Sequence, residues 1–528
     1  MKTLPSGPFL GINNRLPDFA LVTDAGRWLS DAVNVDIDNA GRARRRDGVT
    51  LVQAMTGAHS VFSTGSTTGF LVRSSVLYSF SFSPSYSETL VKILTVNDAV
   101  SYTKSNGSIY YSNGTDSGRI ESGIWFPWAL PTPTAPTVSA ILGSVHAGKY
   151  QVAVRYYNSV TGEAGGISAA TGIELASDGA LRVTLPSATT GATHVHVLVS
   201  DLNGSQVYLH SSVATGTATL DIISVSGTTL TAEEVYAEPM PPCANLFVHM
   251  GRLCGISGST LYYGLPYRFG YYDAADGYIG FEEDISVAIA NQFGTYVVTE
   301  SKTFWLMGDL GKVERISDPL PYGGQAGTAF RVPHKPLVGW FGNNGFVLGD
   351  EQGQVVAATQ DAVDVTPDNG TWTAVLETRG YRRVVSNGYC MNLENSALSR
   401  YVDYSLTSVS GGFSTKTDGL YLLTGDQAID AHIDLGKDDF GDSSLKRLPA
   451  LYLGVSSETP MELRVTTPEH EDYRYEARSC AEEMRIQRVD PGKGLRSNWY
   501  DLSIYNTDGS DFTLASVSFA PVASGRRI

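Results

Sequence analysis

Apolar and polar residues alternate along this chain in short runs of four to eight, and almost nowhere do they recur at the three-to-four spacing of a helix. Each run ends in Gly, Ser, Asn or Asp, the residues that reverse a strand cheaply. The strongest regularity is a repeated hairpin. An apolar strand meets a polar turn and continues into a strand rich in Leu, Tyr, Phe or Trp. Copies occupy residues 70–78, 99–111, 252–263, 294–306, 345–356 and 412–423. In the later part of the chain they begin roughly 40 to 70 residues apart, near the length of a four-stranded propeller blade. One such blade cannot bury both faces alone, so blades stack around an axis. A β-sandwich or a run of unrelated hairpins would also satisfy the pattern.

Two segments break the repeat. Residues 130–136 form a stiff Pro/Thr linker, after which runs at 149–157, 166–170, 181–185, 193–199, 207–210 and 217–222 alternate cleanly. A turn at 201–204 joins two of them. This predicts an immunoglobulin-like or fibronectin-III-like sandwich, closed by a second Pro-rich segment at 239–242. Past residue 428, strands at 431–435, 449–454, 461–466, 499–504 and 512–519 predict a second small sandwich. The expected fold class is therefore all-β. Residues 1–130 and 243–427 form a propeller-like body, 131–242 an inserted sandwich and 428–528 a C-terminal sandwich.

Composition supports strands and argues against several functions. Charged residues are only 17% of the 528, and Gly (55) and Tyr (28) are abundant. The net charge of −16 removes the basic surface that grips nucleic acid through its phosphates, although an acidic channel can let DNA pass without holding it. Cys243, Cys254, Cys390 and Cys480 lack the C-x-x-C spacing of zinc or redox sites and read as free thiols. The first residues carry no signal-peptide pattern, and no run of about 18 apolar residues occurs, so no membrane span is expected. The expected place of synthesis is a cytoplasm.

Candidate chemistry is sparse. Gly143 to Lys149 has phosphate-loop spacing, but Tyr150 stands where the magnesium-binding hydroxyl belongs and a strand follows. Asp36 to Asp47 imitates a calcium loop, but Ala40 occupies a ligand position and Arg42, Arg44, Arg45 and Arg46 would repel the ion. The better reading is a strand, a turn at 38–41 and a basic strand whose arginines pair with nearby acids or meet a partner subunit. His194 and His196 share a strand face. If the 201–204 turn sets the register, His210 sits opposite His196, and the three imidazoles are a candidate Zn²⁺ or Ni²⁺ site. There is no Gly-x-Ser-x-Gly or His-Glu-x-x-His, and a sialidase Asp-box is only approached at 115–118. Acids such as Glu282, Glu283 and Asp284 are present, but no spacing pairs them at glycosidase distance. No catalytic residue and no cofactor are expected, and the chain reads as a non-enzyme.

Several stretches resemble the tail nozzle (tail hub, or packaged-DNA stabilisation) proteins of short-tailed bacteriophages. The first is residues 31–48, where Asp31, Asn34, Asp36 and Asp38 lead into the arginine run. The second comprises 261–273, 280–285 and 295–306. The third comprises 492–500, 506–512 and the terminal 525–528. The likeness covers most of the chain outside 131–242, and the inserted sandwich is a departure from compact nozzle proteins. The resemblance implies a structural virion protein assembled in the host bacterial cytoplasm. It implies a homo-oligomeric, hexameric ring that extends the portal–adaptor (head-to-tail connector) channel, with tail fibres or spikes as neighbours. It also implies that the ring retains packaged double-stranded DNA and lets it exit on infection. Two other functions remain open: a tail-tip adhesin that touches the host surface, and a propeller glycan hydrolase.

Overall fold

The computed structural model describes residues 4–225, 237–365, 372–469, 471–492 and 494–524. Of the stretches that carry the resemblance, Lys493 and residues 525–528 lie outside the described residues. The fold is all-β, propeller-like in its repeated sheets, with sandwiches beside them. The only helix among the described residues is the 3-10 turn Asp18–Ala20.

Meandering four-stranded antiparallel sheets recur in chain order. Ala58–Ser63, Thr68–Arg73, Val76–Ser81 and Ser87–Ile93 form one. Ser101–Ser105, Ser108–Ser112, Ser117–Glu121 and Ile124–Phe126 form the next. The sheets that begin at Ala244–His249, Ile285–Ala290 and Phe330–Arg331 repeat the build. Two-residue turns with positive φ at both positions close many of these hairpins. Asn106 and Gly107 (φ 48° and 82°) and Asn387 and Gly388 (51° and 75°) are examples. This left-handed pair matches the right-handed twist of the flanking strands, and Asn and Gly adopt it at least cost.

By density of contacts the chain divides into two compact units. One is Met1–Leu90, Tyr296–Trp305 and Ser317–Ile528; the other is Val91–Thr295 and Leu306–Ile316. Within each, the first strand of one sheet lies against the first strand of another. Serine side chains stitch these strand edges together. In the first unit, the backbone N–H groups of Val61 and Ser63 donate to the hydroxyls of Ser408 and Ser410 (2.9 and 3.0 Å). In the second, Leu246 N–H donates to Ser101 Oγ at 2.8 Å. A strand edge with no ladder partner must satisfy its amides some other way, and these hydroxyls do so.

In the second unit, residues 137–222 form the two-layer sandwich. One sheet orders Thr137–Val145, Gly179–Thr184 and Thr219–Ile222. The other orders Thr171–Leu175, Gly148–Tyr157, His194–Ser200 and Val207–Ala214. Val152, Val154, Leu181, Val183, Val197 and Ile222 are fully buried between them.

The first unit holds the largest departure from the sequence-based organisation. Residues 4–54 are not simply the start of a propeller. Thr50–Ala54 is the fourth strand of the sheet Ser408–Ser410, Phe413–Lys416 and Gly419–Leu422. Leu4–Ser6 and Ala43–Arg45 both pair with Phe512–Phe519. Asp31–Val33 bridges Leu398–Arg400 and His432–Asp438, which fuses two strand sets into one nine-stranded sheet. The sandwich expected from 428–528 alone is thus completed by strands from the other end of the chain. Its core mixes Phe9, Leu29, Val35 and Ile37 with Leu453, Leu463, Ile504 and Leu514. Each fully buried aliphatic side chain contributes about 1.5–3 kcal/mol.

One charged cluster fastens this junction. Asp36 is fully buried, and Arg383 beside it is 2% exposed with Nε 3.1 Å from the carboxylate. Tyr401 donates its hydroxyl to Asp36, and Arg379 and Arg383 both reach Asp47. Burial pulls the Arg383 guanidinium down, but the charge of Asp36 outweighs it and holds the group well above its ordinary value. Replacing Asp36 by Ala leaves Arg383 buried with only the more distant Asp47, at 3.5 Å, to balance it. The expected loss is about 3–5 kcal/mol, read as a lower guanidinium-unfolding midpoint. The double change Asp36→Leu with Arg383→Met should recover most of it.

Candidate functional site

A concave site in the second unit assembles from a hairpin, the strand that follows it, a turn and a loop. The hairpin 101–112 supplies Asn106 and Tyr110, and the next strand presents Arg119 and Glu121, which lie two apart on one face. The turn 158–163 lies in the sandwich. Asn158 Oδ1 accepts the amides of Val160 and Thr161 (2.9 and 3.2 Å), and Gly162 has φ 75°, which aims Glu163 inward. The loop 264–271 adds Tyr267, Arg268, Phe269 and Tyr271. Together they enclose about 700 Å³, within the usual range for small-ligand sites.

Arg119 lies at the centre. Its Nη2 is 2.8 Å from Glu163 and its Nε 2.9 Å from Glu121. Burial pulls this guanidinium down, yet the hydrogen bond and charge of Glu163 prevail and raise it. Tyr271 donates its hydroxyl to Glu163 Oε1 (2.8 Å) and accepts the Leu130 amide (2.7 Å). Burial first, and Glu163 second, push the Tyr271 phenol far up. Tyr110, pushed up to about 12 by burial, packs its ring 5.7 Å from Phe269. Glu163 accepts a hydrogen bond from the Arg119 guanidinium, and Glu121 is ion-paired with it. The arrangement can present donors and acceptors side by side to a ligand.

Tyr267 is the conspicuous residue. It is 81% exposed and has φ 58°, a left-handed conformation unusual for a bulky side chain and costing about 1–2 kcal/mol. A Cβ added to Gly251 would come within 2.9 Å of the Tyr267 ring, so only glycine lets the ring lie on this backbone.

The sequence-derived candidates are placed elsewhere. His196 pairs in register with Ser212, not with His210: the first pair is Ser200 with Val207, so the connecting loop is longer than the 201–204 turn, and a bulge between Val197 and Leu198 adds one more residue in the partner strand. The turn alone could not reveal that shift. His210 Nε2 donates to Ser224 O at 2.9 Å, and His194 Nδ1 meets Thr193 Oγ1 at 2.9 Å. His196 is buried and stacks on Tyr157 at 4.1 Å. The three imidazoles do not converge among the described residues.

The arginine run pairs with acids and carbonyls of its own chain. Arg42 binds Asp38 (2.7 Å), Arg44 binds Asp511 (2.9 Å), and Arg45 donates to Gln427 O. Arg46 donates to Asn34 Oδ1 and lies over Tyr404. Arg45 and Arg46 are buried, so of the four interface candidates only Arg42 and Arg44 keep substantial exposure.

Sequence reading missed one set that could hold a metal. Asp31, His432 and Asp434 bring ligand atoms within 4.8 Å of one another. Burial lowers His432 and raises Asp434. Arg400 already binds both oxygens of Asp31, and the His432 ring stacks on Tyr505 at 4.5 Å. A cation would have to displace that guanidinium. His432 and Asp434 alternate along one strand, but nothing in the sequence ties them to Asp31. The pocket around Arg119 left no motif either; its only trace was the Tyr-rich stretch at 261–273.

No family model matches the chain, and no curated protein matches it. Among solved structures, the chain is similar to PorZ, a bacterial surface component of the type-IX secretion system of Porphyromonas gingivalis. That likeness has 11% identity and a TM-score of 0.24 over 92% of this chain and 86% of that one. An exo-beta-1,3-galactanase from Phanerochaete chrysosporium aligns at 11% identity and a TM-score of 0.20, over 89% and 99% of the two chains. Kluyveromyces lactis Hsv2 aligns at 6% and 0.23, over 67% and 97%. At such scores these likenesses carry no argument about chemistry.

The buried His196 yields a pH prediction. Burial first, then Arg155, lowers its pKa from 6.5 to about 4. Between those values the unfolded chain takes up a proton that the fold refuses. The sandwich should therefore lose about 1–2 kcal/mol as pH falls from 6.5 to 4, after discounting for solvent screening. Protection factors of peptides covering residues 148–200, corrected for the intrinsic pH dependence of exchange, should fall over that window in the full chain. In His196→Phe the fall should be flattened.

Proposed function

We propose that this chain is a structural virion protein, an oligomeric tail nozzle or hub subunit that extends a portal–adaptor channel, retains packaged DNA and lets it exit on infection. The observation that supports this most is the binding of both chain ends into common sheets. Strands from residues 4–54 complete sheets otherwise made of residues 408–519. Loosening either end means breaking several antiparallel pairings at once and exposing one shared core, which suits a part that bears load.

The acidic balance agrees with a conduit. A net charge of −16 repels the phosphate backbone, so DNA passes without adhering. The pattern resemblance at 31–48, 261–306 and 492–512 points the same way. The ring takes hexameric form to continue the channel of its portal–adaptor neighbours, and tail fibres or spikes attach around it.

Negative-stain images of the purified protein, alone and with a portal–adaptor complex, test the proposal. The expected result is six-fold rings that dock coaxially. Trimeric spikes or free monomers that bind host cells would establish an adhesin in its place. Release of reducing sugar from host envelope would establish a hydrolase.

A further inference from the structure

The pocket around Arg119 has features that its ion pairs alone do not require. Two arginines, Arg119 and Arg268, and two glutamates, Glu121 and Glu163, line it, so its charges balance. A phosphate or sulfate would meet two carboxylates, and a cationic peptide would meet two guanidinium groups. A neutral polyol suits both, because each hydroxyl can donate to a carboxylate and accept from a guanidinium.

The rim carries the second feature. Tyr267 is held out from the fold, 81% exposed, in a strained backbone conformation with its ring laid on Gly251. An aromatic ring fixed in this way loses little freedom when it receives a flat apolar face. The C–H face of a pyranose is such a surface, and its hydroxylated edge would point to the polar side chains. Strain of this kind persists where the surrounding structure over-determines it, and it clusters at ligand sites.

We propose that this pocket binds a neutral saccharide, with Tyr267 as the stacking platform and Arg119 and Glu121 as hydrogen-bonding partners of its hydroxyls. Glu121 is the more accessible of the two carboxylates, at 38% exposure against 14% for Glu163. Glu163 acts as a positioning residue, since it accepts from both Arg119 and Tyr271 and holds the floor of the pocket. One wall is the 158–163 turn of the inserted sandwich, so the insertion is what completes the site. The saccharide site does not rest on the nozzle reading; it stands on this geometry alone.

Saturation-transfer-difference NMR on the full chain tests the site. The probes are methyl glycosides of glucose, galactose, mannose, rhamnose and N-acetylglucosamine, with N-acetylneuraminic acid as the anionic comparison. At least one neutral glycoside should receive saturation, strongest on the C–H protons of one ring face. Tyr267→Ala should weaken that binding tenfold or more, and Glu121→Gln should weaken it several-fold. The folded state of each variant is checked by its melting curve. Absence of transfer to every neutral probe overturns the proposal. So does binding that both variants leave unchanged, or preference for N-acetylneuraminic acid over all neutral probes. Ring formation and coaxial docking are read separately, so failure here leaves the nozzle reading to its own test.

Discussion

The buried pair of Asp36 and Arg383 is the constraint on which the first unit depends. Two charges taken out of water are tolerable only when they meet in good geometry with their remaining hydrogen-bonding capacity filled. Here Tyr401 and Tyr381 complete the shell of Asp36, while Asp47 shares Arg379 and Arg383. The carboxylate comes from a strand near the start of the chain and the guanidinium from a hairpin almost 350 residues later. A wrong register at either place would strand a charge in the core. The pair therefore specifies the junction more than it strengthens it, as polar groups within an apolar core can do.

Around that junction, the same problem of unsatisfied backbone recurs at every strand edge, with a recurring solution. Sheets built as meanders leave a first strand with one open side. Ser408, Ser410 and Ser101 cover such edges with hydroxyls, and Thr50–Ala54 covers another with a whole strand. Serine hydroxyls thus take a specific role in joining one sheet to the next. The N-terminal segment acts as a clasp, and two of its arginines, Arg44 and Arg45, reach Asp511 and the Gln427 carbonyl near the other end of the chain.

The Arg119 pocket shows how an insertion can create chemistry that neither part holds alone. Its floor is a blade strand, one wall is a sandwich turn, and its rim is a tyrosine held by a glycine. The proposed conduit and the proposed saccharide site would use different residues: the first would rely on the knit sheets and the acidic balance, the second on one exposed concavity.

The sequence by itself determined the class of structure and most of its strands. Period-two alternation with Gly and Asn turns can only be strand and hairpin, and it located the sandwich between two Pro-rich segments. It also showed that Asp36 to Arg46 is a hairpin and not a calcium loop, since Val35–Ile37 and Ala43–Arg45 pair around the 38–41 turn. What only the tertiary structure decided was which distant strands become neighbours. Backbone ladders carry no residue code, so nothing local says that Leu4–Ser6 lies beside Phe512–Phe519 or that Asp31 faces Asp434. The histidine register failed for a related reason: a loop longer than the 201–204 turn and one extra residue in a bulge together move His210 away from His196 without any sign in the alternation. The Arg119 site stayed hidden because its members come from a hairpin and its next strand, a sandwich turn and a distant loop, and convergence in space is a property of the folded chain.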